Sequence, residues 1–181
     1  MKSYEYKDYD HYKEEQIAGN HRKLSWDFKG KSHITEIKKR KSEASHIICH
    51  GTRRGGEQLE FMKFYPNAYV IGTEISDTAI QFPHTIEHDF NVQKGEWIEK
   101  FDIVYSNAFD HSFDPNITIE VWKQQLAKYG IMYLVWPDRQ NVKSSPVDPL
   151  SGTKDEFISF LQQHGLRVEV TGISELLECK L

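Results

Sequence analysis

The sequence predicts an α/β sandwich built on a sheet that is parallel apart from one strand. Three observations lead there. Residues 45–76 read as strand, glycine-bearing turn, helix and strand, with an acid just past the second strand. Strand and helix patterns then alternate along most of the remaining chain, which is the signature of parallel strands joined by crossover helices. The chain closes with two strand-like runs in succession, 166–171 and 176–181, which is how one antiparallel strand enters such a sheet.

The elements follow in order. Residues 4–15 are polar and tyrosine-rich with weak helical character, and fit either a frayed tail or a lid over a site. Gly19-Asn20 and Gly30-Lys31-Ser32 punctuate the next segment. Residues 32–41 form a helix pattern with Ser32 as cap and Ile34 and Ile37 inward. It ends in Lys38-Lys39-Arg40-Lys41, cations that complement a helix carboxyl end. Residues 1–44 are thus an amino-terminal helical or lid segment, and 45–181 the domain proper.

His46-Ile47-Ile48-Cys49 is the first strand, followed by the turn Gly51-Thr52-Arg53-Arg54-Gly55-Gly56. A helix with Leu59, Phe61, Met62 and Phe64 on its apolar face leads to the strand Tyr69-Val70-Ile71-Gly72, which ends at Glu74. Ser76-Asp77-Thr78-Ala79 starts a short helix that Pro83 stops. Residues 85–88 read as a short strand leading to Asp89, and Ile103-Val104-Tyr105-Ser106-Asn107 as a strong fourth. Residues 117–128 read as a helix with Ile119, Val121, Trp122 and Leu126 apolar, closed by Tyr129-Gly130. The run 131–136 is continuously apolar, as a strand buried on both faces should be. Residues 137–152 are loop-like, a length usually tied to function or disorder. Residues 154–163 form a last helix with Phe157, Phe160 and Leu161 inward, ended by Gly165.

A chain of 181 residues with net charge −4 fits one domain with a substantial core. The mild charge carries no strong attraction to nucleic acid or anionic membrane, since cations cluster only at 38–41 and at Arg53 and Arg54. The charged amino terminus lacks the apolar stretch of a signal peptide, and no run is long enough to cross a bilayer. The expected location is cytoplasmic.

The glycine turn, the acid after the second strand, His88-Asp89-Phe90 and the fourth strand together resemble the class I S-adenosylmethionine-dependent methyltransferases. The likeness covers residues 45–136 by motif and the rest by order of elements. It implies a Rossmann-like three-layer α/β/α sandwich with seven strands in the order 3-2-1-4-5-7-6, and S-adenosyl-L-methionine as cofactor. In that order Cys49 and Cys179 sit three strands apart, roughly 14 Å, beyond the reach of a disulfide. Both are expected as free, buried thiols.

By the same resemblance Gly51, Thr52, Arg53 and Gly55 turn under the methionine moiety, and Glu74 accepts from the ribose hydroxyls. Ile75 packs on the adenine, Asp89 accepts from its amino group beside Phe90, and Asn107 and Ala108 face the methionine moiety. The acid that usually precedes the first glycine is replaced by Cys49-His50. Three readings of the loop 110–114 stay open. In the first, His111 is a general base with Asp110 or Asp114 orienting it. In the second, Asp110 and Asp114, joined by Asp138 or Asn141, hold Mg²⁺. In the third, the loop is an Asx-type turn that only caps the next helix. The expected activity is O-methylation of a hydroxyl on a sugar, glycan or other small molecule. The alternative is a non-catalytic cofactor- or nucleotide-binding module that kept the fold.

Overall fold

The computed structural model describes residues 1–26, 28, 30–137 and 143–181. In chain order the elements are β1 (Lys2–Ser3), α1 (Tyr9–Arg22), α2 (Lys31–Arg40), β2 (His46–His50), α3 (Gly56–Phe64), β3 (Tyr69–Glu74), β4 (Thr85–Glu87) and β5 (Phe101–Ser106). They continue as α4 (Pro115–Gln125), β6 (Leu126–Val135), β7 (Leu150–Ser151), α5 (Lys154–Gln163), β8 (Arg167–Val170) and β9 (Leu176–Lys180).

Seven strands form one sheet in the order β4-β3-β2-β5-β6-β9-β8. Counted among that sheet's own strands, this is 3-2-1-4-5-7-6. Strand β9 runs antiparallel to both β6 and β8, and the other pairings are parallel. The period of two along a strand divides the core between the sheet's faces. Ile48, Val104 and Met132 pack with Ile119 and Trp122 of α4 and Phe157 and Leu161 of α5. Ile47, Cys49 and Ile103 pack on the opposite face with Ile34 and Ile37 of α2 and Phe61 of α3. Both cysteines are buried and free. Among the described residues no helix is long and apolar enough to cross a membrane.

The structure departs from the sequence reading at several places. A second small sheet pairs β1 with β7, Lys2 opposite Ser151 and Ser3 opposite Leu150. Two-residue strands carry no periodicity, so only the long-range pairing reveals them. Helix α2 starts after Gly30 in the left-handed region, with no side-chain cap, so Ser32 does not cap it. On α3, Leu59 is exposed whereas Glu57, Gln58 and Glu60 are buried.

Helix α4 stops at Gln125, and Leu126 already belongs to β6. Tyr129-Gly130 therefore does not close a helix. The β5–β6 register shifts near Phe101, and a Cβ on Gly130 would lie 2.7 Å from the Phe101 carbonyl oxygen. Gly130 permits that close approach of two backbones.

Candidate active site

The carboxyl ends of β2, β3 and β5 and the segment after β4 surround one cavity of about 1040 Å³. Its floor is the turn after β2. Gly51 has φ 73°, and a Cβ there would come within 2.5 Å of the Ala108 Cβ, so both conformation and space require glycine. The N–H groups of Gly51 and Thr52 donate to the Thr73 carbonyl at 2.9 and 3.0 Å, tying the turn to β3.

Glu74 ends β3 and is held by two backbone donors. Arg53 N–H donates to one carboxylate oxygen at 3.0 Å and Ser76 N–H to the other at 3.1 Å. Burial raises the Glu74 pKa above the usual carboxylate value, and the two N–H groups oppose that shift. Ile75 follows Glu74 along the cavity wall. Beyond β4, Asp89 accepts from the N–H and side-chain amide of Asn91 at 2.9 and 2.6 Å. Its other oxygen accepts the hydroxyl of Tyr9, from α1. Phe90, Asn107 and Ala108 complete this half of the wall.

The other half begins with the 3-10 turn Phe109–His111. Asp110 is buried but reaches the cavity, and His111 stands beside it. The His111 Nε2 lies 3.7 Å from Asp148 Oδ1 and 4.0 Å from Asp110 Oδ1. Its Nδ1 lies 3.0 Å from the amide oxygen of Gln16. Further out, Lys23, Trp26, Phe28 and Glu175 line the opening. His33 holds the Glu175 carboxylate at 2.8 Å.

Ten of the residues read from sequence thus share this cavity: Gly51, Arg53, Glu74, Ile75, Asp89, Phe90, Asn107, Ala108, Asp110 and His111. Three do not line it. Thr52 is buried beneath the turn, where its hydroxyl faces the Gln58 amide at 3.4 Å. Gly55, φ 74°, is the residue from which α3 starts. Asp114 caps α4, accepting from the N–H groups of Asn116 and Ile117, so its carboxylate is committed to that helix end and does not orient His111.

Asp138 and Asn141 lie outside the described residues. The metal-competent set within the described residues is Asp110, His111 and Asp148, with ligand atoms inside 4.8 Å. Among the described residues, an imidazole and two carboxylates do not make up the octahedron of oxygen ligands that Mg²⁺ takes.

The position before the first glycine is equally informative. His50 is buried, stacked on Trp122 at 4.6 Å, with Nδ1 2.9 Å from the Thr73 hydroxyl and Nε2 2.8 Å from the Gln125 amide oxygen. Burial lowers its pKa to about 3, against the opposing Gln125 contact. His50 belongs to the interior and does not replace the missing acid.

Sequence reasoning missed Tyr12, Gln16, Asn20, Asp148 and Glu175. A signal existed for the first three, because polar groups at positions 12, 16 and 20 fall on one helical face. All three are buried in the folded chain. Asp148 and Glu175 sit in loops without periodicity, and only folding brings them to the cavity.

Comparison with solved structures decides the fold. A Burkholderia thailandensis 1,6-didemethyltoxoflavin-N1-methyltransferase, with bound 1,6-didemethyltoxoflavin and S-adenosylhomocysteine, superposes with a TM-score of 0.70 at 11% identity, covering 94% of this chain and 86% of that one. The fold is that of the class I S-adenosylmethionine-dependent methyltransferases. A sugar N-methyltransferase from Streptoalloteichus sp. matches with a TM-score of 0.65 at 11% identity over 88% and 90% of the two chains. A methyltransferase from Aquifex aeolicus, described as SAM-dependent, gives 0.63 at 13% identity over 87% and 94%. No family model and no curated protein matches the sequence.

Proposed function

We propose that this chain is an S-adenosylmethionine-dependent methyltransferase acting on a hydroxyl of a small molecule, with a sugar or glycan as the acceptor class. The observation that carries the reading is the shared cavity. Two carboxylates at successive strand ends, Glu74 and Asp89, open with the Gly51 turn into the same space as His111. Glu74 suits a ribose diol and Asp89 an adenine amino group, with Ile75 and Phe90 beside the ring. S-adenosylmethionine held by these residues would leave the His111 side of the cavity for the acceptor.

Methyl transfer needs the acceptor oxygen in line with the sulfur–methyl bond and a base for its proton. His111 is the candidate base. The exposed Trp26 ring and the carboxylates of Asp148 and Glu175 support a polyhydroxylated acceptor, whose ring can stack while its hydroxyls donate. Residues 1–44 act in this reading as the lid and residues 45–181 as the cofactor-binding domain. The lid reading draws on α1, whose Tyr12, Gln16 and Asn20 line the cavity together with Lys23 just beyond the helix.

The test is calorimetric titration with S-adenosylmethionine and S-adenosylhomocysteine. A screen of glycosides, catechols and amino sugars for S-adenosylhomocysteine release would follow, with wild type and His111→Ala. Absence of binding by either compound to folded protein refutes the reading. Binding without turnover of any acceptor favours the non-catalytic module, which the absence of an acid before Gly51 also supports.

A further inference from the structure

We propose that Gln16, on α1, is a positioning residue that holds His111 as the Nδ1–H tautomer and leaves Nε2 as a bare lone pair facing the acceptor. The inference rests on the reading of His111 as the base, and its geometry comes from a hydrogen-bond network outside the cofactor motifs.

The orientation of the Gln16 amide follows from its partners. Gln16 is buried, and its amide nitrogen lies 3.1 Å from the Pro146 carbonyl oxygen and 3.3 Å from that of Val147. Carbonyl oxygens only accept, so the atom facing them must be the NH₂ group. The same nitrogen donates to the Tyr6 hydroxyl oxygen at 3.2 Å, while Tyr6 spends its own proton on Pro146 at 2.6 Å. The Gln16 oxygen is therefore the atom turned toward His111 Nδ1, at 3.0 Å.

An amide oxygen cannot donate, so Nδ1 must carry the hydrogen. A neutral imidazole carries one ring hydrogen, which leaves Nε2 unprotonated. Among the described residues, the carboxylates of Asp148 at 3.7 Å and Asp110 at 4.0 Å from Nε2 stand beyond hydrogen-bond distance. Helix α1 also fixes the backbone of the same residue, because the Tyr12 hydroxyl donates to the His111 carbonyl at 3.1 Å.

The transfer step then balances. The acceptor oxygen forms a bond to the methyl carbon as the carbon–sulfur bond breaks, and sulfur keeps the electron pair. The acceptor proton moves to Nε2. The resulting imidazolium keeps its Nδ1–H on Gln16 and faces two carboxylates. An N-terminal helix thereby contributes to the proton-transfer step and to the cavity wall together.

The deciding measurement is long-range ¹H–¹⁵N NMR of the His111 ring in the full chain, at a pH where the ring is neutral. The expected wild-type spectrum shows a protonated Nδ1 and a pyridine-type Nε2. In Gln16→Met, which has no acceptor oxygen, the Nε2–H form gains population. In Gln16→Glu, which keeps an acceptor, Nδ1–H persists. An Nε2–H ring in the wild type, or a Gln16→Met spectrum identical to wild type, overturns the proposal. If Gln16→Met does not fold, the wild-type spectrum decides alone. With an acceptor in hand, Gln16→Met should lower kcat about tenfold at unchanged affinity for S-adenosylmethionine, a share of the roughly 10²–10⁴ that a positioned base supplies. Full activity in His111→Ala would refute the base reading and leave the tautomer assignment standing, so the two fail separately.

Discussion

Replacing Glu74 by alanine gives the sharpest test of the proposed cofactor site. The carboxylate is oriented before any ligand arrives, by Arg53 N–H at 3.0 Å and Ser76 N–H at 3.1 Å. Two ribose hydroxyls would donate to its remaining lone pairs. A hydrogen bond to a charged group is worth about 1.5–3 kcal/mol net. Loss of one weakens binding about tenfold, and loss of both by about a hundredfold or more.

Stability should change less than affinity. The substitution frees two backbone donors, which costs stability, but it also removes a carboxylate whose burial raises its pKa. The assay is calorimetric titration of wild type and Glu74→Ala with S-adenosylhomocysteine, with circular dichroism to show that both are folded. Because the Glu74 pKa is raised, affinity should begin to fall on acidification at a higher pH than for an ordinary glutamate. Wild-type binding that Glu74→Ala leaves within about twofold would refute the ribose assignment.

Other consequences are equally direct. Gly51→Ala should lower stability by about 2–4 kcal/mol in urea titrations, from left-handed backbone strain and the contact with Ala108, and should abolish cofactor binding. His50→Gln should flatten the acid limb of the stability curve. The His50 pKa is lowered from 6.5 to about 3, so its contribution is complete above 6.5 and is lost as pH falls toward 3. That loss proceeds at up to about 1.4 kcal/mol per pH unit. Tyr9→Phe should tighten S-adenosylmethionine binding several-fold, because the Tyr9 hydroxyl occupies the Asp89 oxygen that the adenine amino group would use. Weaker binding in that variant would mean that Tyr9 contacts the cofactor itself.

The sequence by itself determined the sheet and the strand-end half of the cavity. Residues 46–50, 69–74 and 101–106 are apolar runs whose ends abut glycine, acid and asparagine. Those local patterns survive folding because each strand is buried on both faces. Tertiary structure decided the rest. Asp114 read equally as catalytic or as a cap until its carboxylate was seen on the α4 amides. Tyr129-Gly130 read as a helix end until the close approach to Phe101 placed it in β6. Gln16, Asp148 and Glu175 come from α1, the segment before β7 and the β8–β9 turn, and contribute to one cavity only through contacts between distant parts of the chain. A hydrophobic period records which face of an element is buried. It carries no record of which polar side chains from separate elements will face one another across a cavity, and the chemistry of the cavity's other half depends on those meetings.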